Sequence, residues 1–288
     1  MSRGFITKFL RKKGEEEIFF RFWPGKKEMP VLILLHDLGG HSLRFEYLTD
    51  YFQKLGFNIY AFDFAGFGKS QEYKGHIEDF TVYLNETLSM LKLSKIEFPK
   101  NNKFIFGDGM GALVAVLFAK YYQQFLDGLV LLSPAVKTKI HVTNRKMYNT
   151  FLNTLFNKLA VTDIPFTKEM LTNDFKTQKK LQHDAMDVKT TTVAFNMAFD
   201  NARSQVRKFA YEINIPVLTL AAEKDLLLDL DATKEVFNMF NSKVKEMMIL
   251  DDFYHSITLD KNRDYAFELI TRWIYKILFI QERQKFNS

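Results

Sequence analysis

The sequence predicts an α/β fold: a mostly parallel sheet with helices on both faces and a helical insertion between two of its strands. Two observations predict it. Short apolar runs alternate with stretches of helical periodicity, as in a sheet covered by helices. One interval, from about Lys137 to Ala210, breaks that rhythm and reads as helices alone. At 288 residues the chain is long enough for one large α/β domain carrying such an insertion.

The run Val31-Leu32-Ile33-Leu34-Leu35 is apolar at every position, as parallel strands buried on both faces are. Asn58 to Phe62, Lys103 to Phe106, Gly128 to Leu132, Pro216 to Leu220 and Lys245 to Leu250 read as further strands, and Glu17 to Phe22 as an earlier, partly exposed one. Helical apolar spacing fills the gaps at Asp79 to Leu93, Met110 to Tyr122, Ala232 to Phe240 and Asp264 to Gln284. The insertion is expected to hold short helices at Asn144 to Leu159, Thr177 to His183 and Thr190 to Phe209, without strands. Thr172-Asn173-Asp174 marks the break between the first two. The expected organisation is a core over 1–137 and 210–288, with 138–209 as a cap. A cap so placed covers the C-terminal edge of the sheet, where ligands bind in open α/β sheets.

Composition narrows the chemistry. With no cysteine, disulfides, thiolate metal sites and a cysteine nucleophile are all excluded. His141 and His183 are isolated and no ligand spacing appears, so no metal or organic cofactor is implied. The start lacks the apolar run of a signal peptide and no stretch is long enough to span a bilayer, which predicts a soluble, cytoplasmic protein. The net charge of +6 includes Arg3, Lys8, Arg11, Lys12 and Lys13, interleaved with Phe5, Ile6, Phe9 and Leu10. The plainer reading is a solvated turn or strand edge; the sharper one is contact with an anionic membrane surface. No nucleic-acid reading motif accompanies the charge.

The third core strand runs into Gly107-Asp108-Gly109-Met110-Gly111-Ala112 and a helix begins at once. This is the strand–turn–helix setting of a nucleophile elbow, G-x-S-x-G, with Gly109 where the serine belongs. A dinucleotide turn is the competing reading, but it belongs after the first strand of its unit and wants an acidic residue ending the next strand. Here that strand ends in Leu132-Ser133-Pro134. After the first core strand comes His36-Asp37-Leu38-Gly39-Gly40-His41-Ser42, whose turn can aim the Leu38 N–H, with that of Met110, at an oxyanion. Asp225 follows the fifth core strand and His255 the sixth, giving the order nucleophile position, acid, histidine. His36 alone reads as structural.

With these segments the chain resembles the monoacylglycerol lipase and lysophospholipase branch of the α/β-hydrolases. Beside the His36–Ser42 segment, Arg44-Phe45-Glu46-Tyr47-Leu48, Asp63-Phe64-Ala65-Gly66-Phe67-Gly68-Lys69-Ser70 and Gly75-His76-Ile77 resemble that family's pattern. So do Leu171-Thr172-Asn173-Asp174 in the cap and Ile215-Pro216-Val217-Leu218 before the acid. The resemblance implies a carboxylic ester hydrolase, an esterase of lipid metabolism. Its substrate would be a small lipid or ester with one acyl chain, and Phe195 and Phe199 of the cap would contact it. Those two could equally be cap core. Three departures stand out: Gly109 for serine, Asp37 for the glycine after His36, and Asp108 for an elbow histidine.

No other residue fills the nucleophile's place well. Asp108 is one position early, Ser133 reads as a turn residue, and Ser42 and Ser256 are off the elbow. Two explanations stand at this point: an ester hydrolase that has lost its serine, or a non-catalytic relative that binds a lipid or ester under its cap.

Overall fold

The computed structural model describes residues 4–10, 17–70, 73–140 and 157–286. Its strands are β1 (Ile6–Leu10), β2 (Ile18–Trp23), β3 (Val31–Leu35), β4 (Asn58–Phe62), β5 (Lys103–Asp108), β6 (Gly128–Leu132), β7 (Val161–Asp163), β8 (Thr190–Thr192), β9 (Val217–Ala222) and β10 (Lys245–Leu250). Eight form one sheet in the order β1-β2-β4-β3-β5-β6-β9-β10. From β4 to β10 every neighbouring pair is parallel, and β2 runs antiparallel to both β1 and β4. The helices are α1 (Glu46–Lys54), α2 (Thr81–Glu97), α3 (Met110–Tyr122), α4 (Lys168–Leu171), α5 (Phe175–Gln182), α6 (Val193–Phe209), α7 (Leu230–Met239) and α8 (Arg263–Phe286).

The continuous apolar strands are explained by two cores, one on each face. Along β3, Val31, Ile33 and Leu35 join one core with residues of α2, α3 and α6. Leu32 and Leu34 point the other way, into a core with Phe52 of α1 and Phe267 and Trp273 of α8. Side chains alternate between faces, and with both faces covered β3 is apolar at every position.

Two expectations change. β2, expected to be partly exposed, is buried throughout, Arg21 included. β1 extends the sheet beyond it, and Arg21 pairs with Asp63 at 3.3 Å while lying over the Phe19 ring. β1 itself forms the edge on this side, where Phe5 just before it and Ile6 and Phe9 on it are 41–49% exposed. The insertion, expected to be strandless, contains the antiparallel pair β7–β8. Each has three residues, too few to show a period. Strand β8 also moves the start of the last insertion helix to Val193, where the Thr192 side chain caps the Phe195 N–H. Most of the Asn144 to Leu159 helix expectation lies outside the described residues.

The insertion is tied to the loops at the C-terminal ends of the strands. Val188 N–H donates to Gly39 O at 3.0 Å, Thr192 N–H to Gly75 O at 2.9 Å, and Ser256 N–H to Leu171 O at 2.8 Å. Among the described residues no helix is long and apolar enough to cross a membrane.

Candidate active site

The elbow forms because its outer positions admit no side chain. A Cβ on Gly107 would lie 2.5 Å from Ala112 N, and one on Gly111 would overlap Leu35 O and lie 2.9 Å from His36 O. Strand and helix can therefore close around a sharp turn, with Gly109 at φ 52°, ψ −108°, in a backbone region that L side chains seldom enter. Gly109 N–H donates to Leu132 O at 2.9 Å and Gly109 O accepts from Ala135 N–H at 3.1 Å, so the turn is pinned on both sides.

The place a nucleophile's side chain would take is filled. A Cβ built on Gly109 overlaps the carboxylate of Asp37, with Oδ2 at 2.7 Å and the other carboxylate atoms nearer still. Asp37 stands at the end of β3, beside β5 in the sheet, which brings residues 37 and 109 together. Its Oδ1 accepts the Met110 N–H at 2.6 Å, and its Oδ2 lies 3.0 Å from His255 Nε2. One carboxylate thus covers three expected features at once: the nucleophile's space, an oxyanion donor and the contact with the base.

His255 is 2% exposed and stands between two acids, its Nδ1 being 2.9 Å from Asp225 Oδ2. Ionised carboxylates only accept, so both ring nitrogens donate and the ring is an imidazolium. Burial works against that charge. Asp225, by charge and hydrogen bond, and then Asp37 outweigh it and hold the ring's pKa well above its ordinary value. Burial likewise pushes the Asp225 carboxyl up, yet the His255 charge, the ring hydrogen bond and the Leu227 and Leu228 N–H groups bring it below the usual range. The Ser133 hydroxyl, on a residue with φ 38°, donates to His255 O at 2.7 Å and so fixes this loop. Sequence reasoning read Ser133 only as a turn residue, and nothing in the sequence links it to position 255.

On the other side of the site, His36 is a brace. Its Nε2 accepts the Phe64 N–H at 3.1 Å and its Nδ1–H donates to Asp37 O at 2.8 Å, a neutral ring. Burial lowers its pKa to about 4. Asp63 accepts the N–H groups of Ser42 and Lys69, both at 2.8 Å, joining the two glycine-containing loops. His41 Nε2–H donates to Asp184 of the insertion at 2.9 Å. With Asp187, these residues form the one group with a metal-like donor set among the described residues. Arg44 and Lys168 already serve as counter-ions to Asp187.

A cavity of about 390 Å³ opens beside this cluster. Asp37, Leu38, Asp108 and Ser256 line it from the sheet edge, and Phe166 and Val188 from the insertion. Asp108 is 4% exposed and its Oδ1 has no hydrogen-bond partner. Burial, then the charge of Asp37, raise its pKa to about 8, so it carries its proton at neutral pH. Phe195 and Phe199 are not among the cavity's lining residues. They are buried, with ring centroids 5.6 Å (Phe195 to Phe67) and 5.9 Å (Phe199 to Phe80) apart, because α6 turns that face to the core. The structure therefore joins Asp225, His255, Gly109 and Met110, places Leu38 on the cavity wall, and leaves the two phenylalanines in the core.

The chain is similar to known proteins over most of its length. The family model described as Hydrolase_4: Serine aminopeptidase, S33 matches residues 26–262. The human "Monoglyceride lipase" is 25% identical over 264 residues, covering 89% of this chain and 86% of that one. The Escherichia coli (strain K12) "Uncharacterized protein YnbC" is 24% identical over 288 residues, 97% of this chain, which spans only 48% of that relative's length. Among solved structures, the Paleococcus ferrophilus monoacylglycerol lipase superposes with a TM-score of 0.81 at 21% identity, covering 91% of this chain and 99% of that one.

Proposed function

Because the chain belongs to the serine aminopeptidase S33 family of α/β-hydrolases, we propose that it is an ester-hydrolase scaffold of the monoacylglycerol lipase and lysophospholipase type that binds an ester with a single acyl chain and does not turn it over by serine chemistry. Similarity to a monoglyceride lipase supports the ester-hydrolase ancestry. The observation that carries the rest is the Asp37 carboxylate, which takes the Met110 N–H and the His255 Nε2–H and fills the space at Gly109.

Serine-type hydrolysis needs three things from this geometry. A hydroxyl at position 109 must attack the ester carbonyl, a neutral His255 held by Asp225 must take its proton, and the Leu38 and Met110 N–H groups must receive the oxyanion. In this chain the hydroxyl is missing, the base is already protonated and one donor is occupied. The ligand would sit beneath a cap expected over 138–209, and Phe5, Ile6 and Phe9 on the β1 edge support contact with a lipid surface. A second reading, an ester hydrolase lacking only its serine, is favoured by the intact 2.9 Å contact between His255 and Asp225.

The two readings separate on two variants. Ester hydrolysis and labelling by a fluorophosphonate are measured for the chain, for Gly109→Ser and for Asp37→Gly/Gly109→Ser, with a p-nitrophenyl ester and a monoacylglycerol as substrates. Loss of a serine or histidine from such a unit costs about 10⁶ in kcat. The chain and the single variant are expected to be silent, and the double variant to gain at least ~10²-fold and be labelled. Hydrolysis by Gly109→Ser alone would establish the second reading; efficient turnover by the unaltered chain would overturn both.

A further inference from the structure

Asp108 is a buried acid with no part in serine-type hydrolysis. It stands one residue before the elbow position, lines the cavity, and has a carboxyl oxygen that bonds to nothing. A buried polar group without a partner is costly, and native structures rarely keep one without a reason. The neighbouring donor that a family member would offer a substrate carbonyl, the Met110 N–H, is held by Asp37 at 2.6 Å.

We infer that Asp108 is a ligand-binding residue, whose carboxyl donates a hydrogen bond to the carbonyl or hydroxyl oxygen of a neutral acyl ester in the cavity, in place of the N–H that Asp37 has taken. The inference rests on the acyl-binding reading above. The charged groups facing Asp108 are Asp37, His255, Arg44 and Asp225, and the balance of burial and charge keeps its proton on, to a pKa of about 8. The same surroundings disfavour a second anion. The cavity should therefore take esters and reject free carboxylates, and affinity should fall as pH rises through about 8.

The test is calorimetric titration of monolauroylglycerol, and of laurate, into the full chain and into Asp108→Asn and Asp108→Leu, at pH 7 and pH 9.5. Asparagine keeps a donor; leucine keeps the bulk and removes it. At pH 7 the ester is expected to bind the chain and Asp108→Asn within about threefold of each other, and Asp108→Leu about tenfold more weakly. Raising the pH should weaken binding to the chain but not to Asp108→Asn, and laurate should bind the chain at least ~10-fold more weakly than the ester at pH 7. Equal binding of the ester by Asp108→Leu and the chain, or of laurate and the ester by the chain, would overturn this inference and leave the acyl-binding reading standing. No binding of the ester to any of the three proteins would remove both.

Discussion

Two loops at the C-terminal edge of the sheet each bury a histidine, and they treat it in opposite ways. After β3, His36 meets a backbone N–H and a backbone carbonyl, one partner of each kind, and stays neutral. In the loop after β10, His255 meets two carboxylates and takes a proton. Both rings are almost fully buried, so depth does not decide the charge. The partners do: dipoles suffice for a neutral ring, whereas a buried cation needs counter-ions. General-base chemistry would require a ring to alternate between these states, and Asp225 and Asp37 together hold His255 in one of them.

The contrast can be broken most sharply at Asp225. Asp225→Asn takes from a buried imidazolium one of its two anions and should cost about 3–5 kcal/mol in urea unfolding at pH 7. His36 gives the next effect, through pH. Its folded pKa of about 4 lies below the ordinary 6.5, so between these values the unfolded chain binds the extra proton. Stability contributed by the neutral ring is complete above pH 6.5 and should fall by about 3 kcal/mol on acidification to pH 4. His255 behaves oppositely: its raised pKa supplies stability at low pH that disappears on the alkaline side, as the folded ring deprotonates. Ring ¹⁵N chemical shifts should accordingly report His255 doubly protonated and His36 neutral across pH 5–7.

An effect similar in size to that of His36 but opposite in pH direction is expected at Asp108. With a folded pKa of about 8 against an ordinary 3.8, it loses stability as pH rises between these values, because only the unfolded chain releases the proton. Asp108→Asn should flatten that slope and, by the same linkage, recover up to about 4 kcal/mol at pH 7. Smallest is Asp37→Asn, about 1 kcal/mol, since that side chain keeps partial contact with solvent. Its sharper readout is the His255 pKa, which should drop while that of His36 stays near 4.

The sheet was legible because strands covered on both faces are largely apolar, as β3, β4 and β6 are, and these, with the partly buried edge strand β10, coincide with the runs read from the sequence. Helix α3 was legible to its ends, set by the elbow before it. Strands β7 and β8 were not, being shorter than any window in which a period can be counted. Gly109, Asp225 and His255 could be found from chain order and strand-end position. Asp37 was visible only as a departure from a family pattern. Its meaning depends on β3 lying next to β5, a spatial fact that no local signal carries. Phe195 and Phe199 failed as cavity residues because aromatic spacing on a helix marks a buried face without saying what it is buried against.

The overlap between the Asp37 carboxylate and any Cβ at position 109 also imposes an order on sequence change. Starting from this chain, a serine acquired first at 109 meets an occupied space and is penalised, whereas a glycine acquired first at 37 empties that space and makes the serine admissible. The two positions are thus coupled, and the change that admits a serine without displacing the Asp37 carboxylate is a paired one. Libraries that vary single positions would miss it, and those that vary residues 37 and 109 together would contain it.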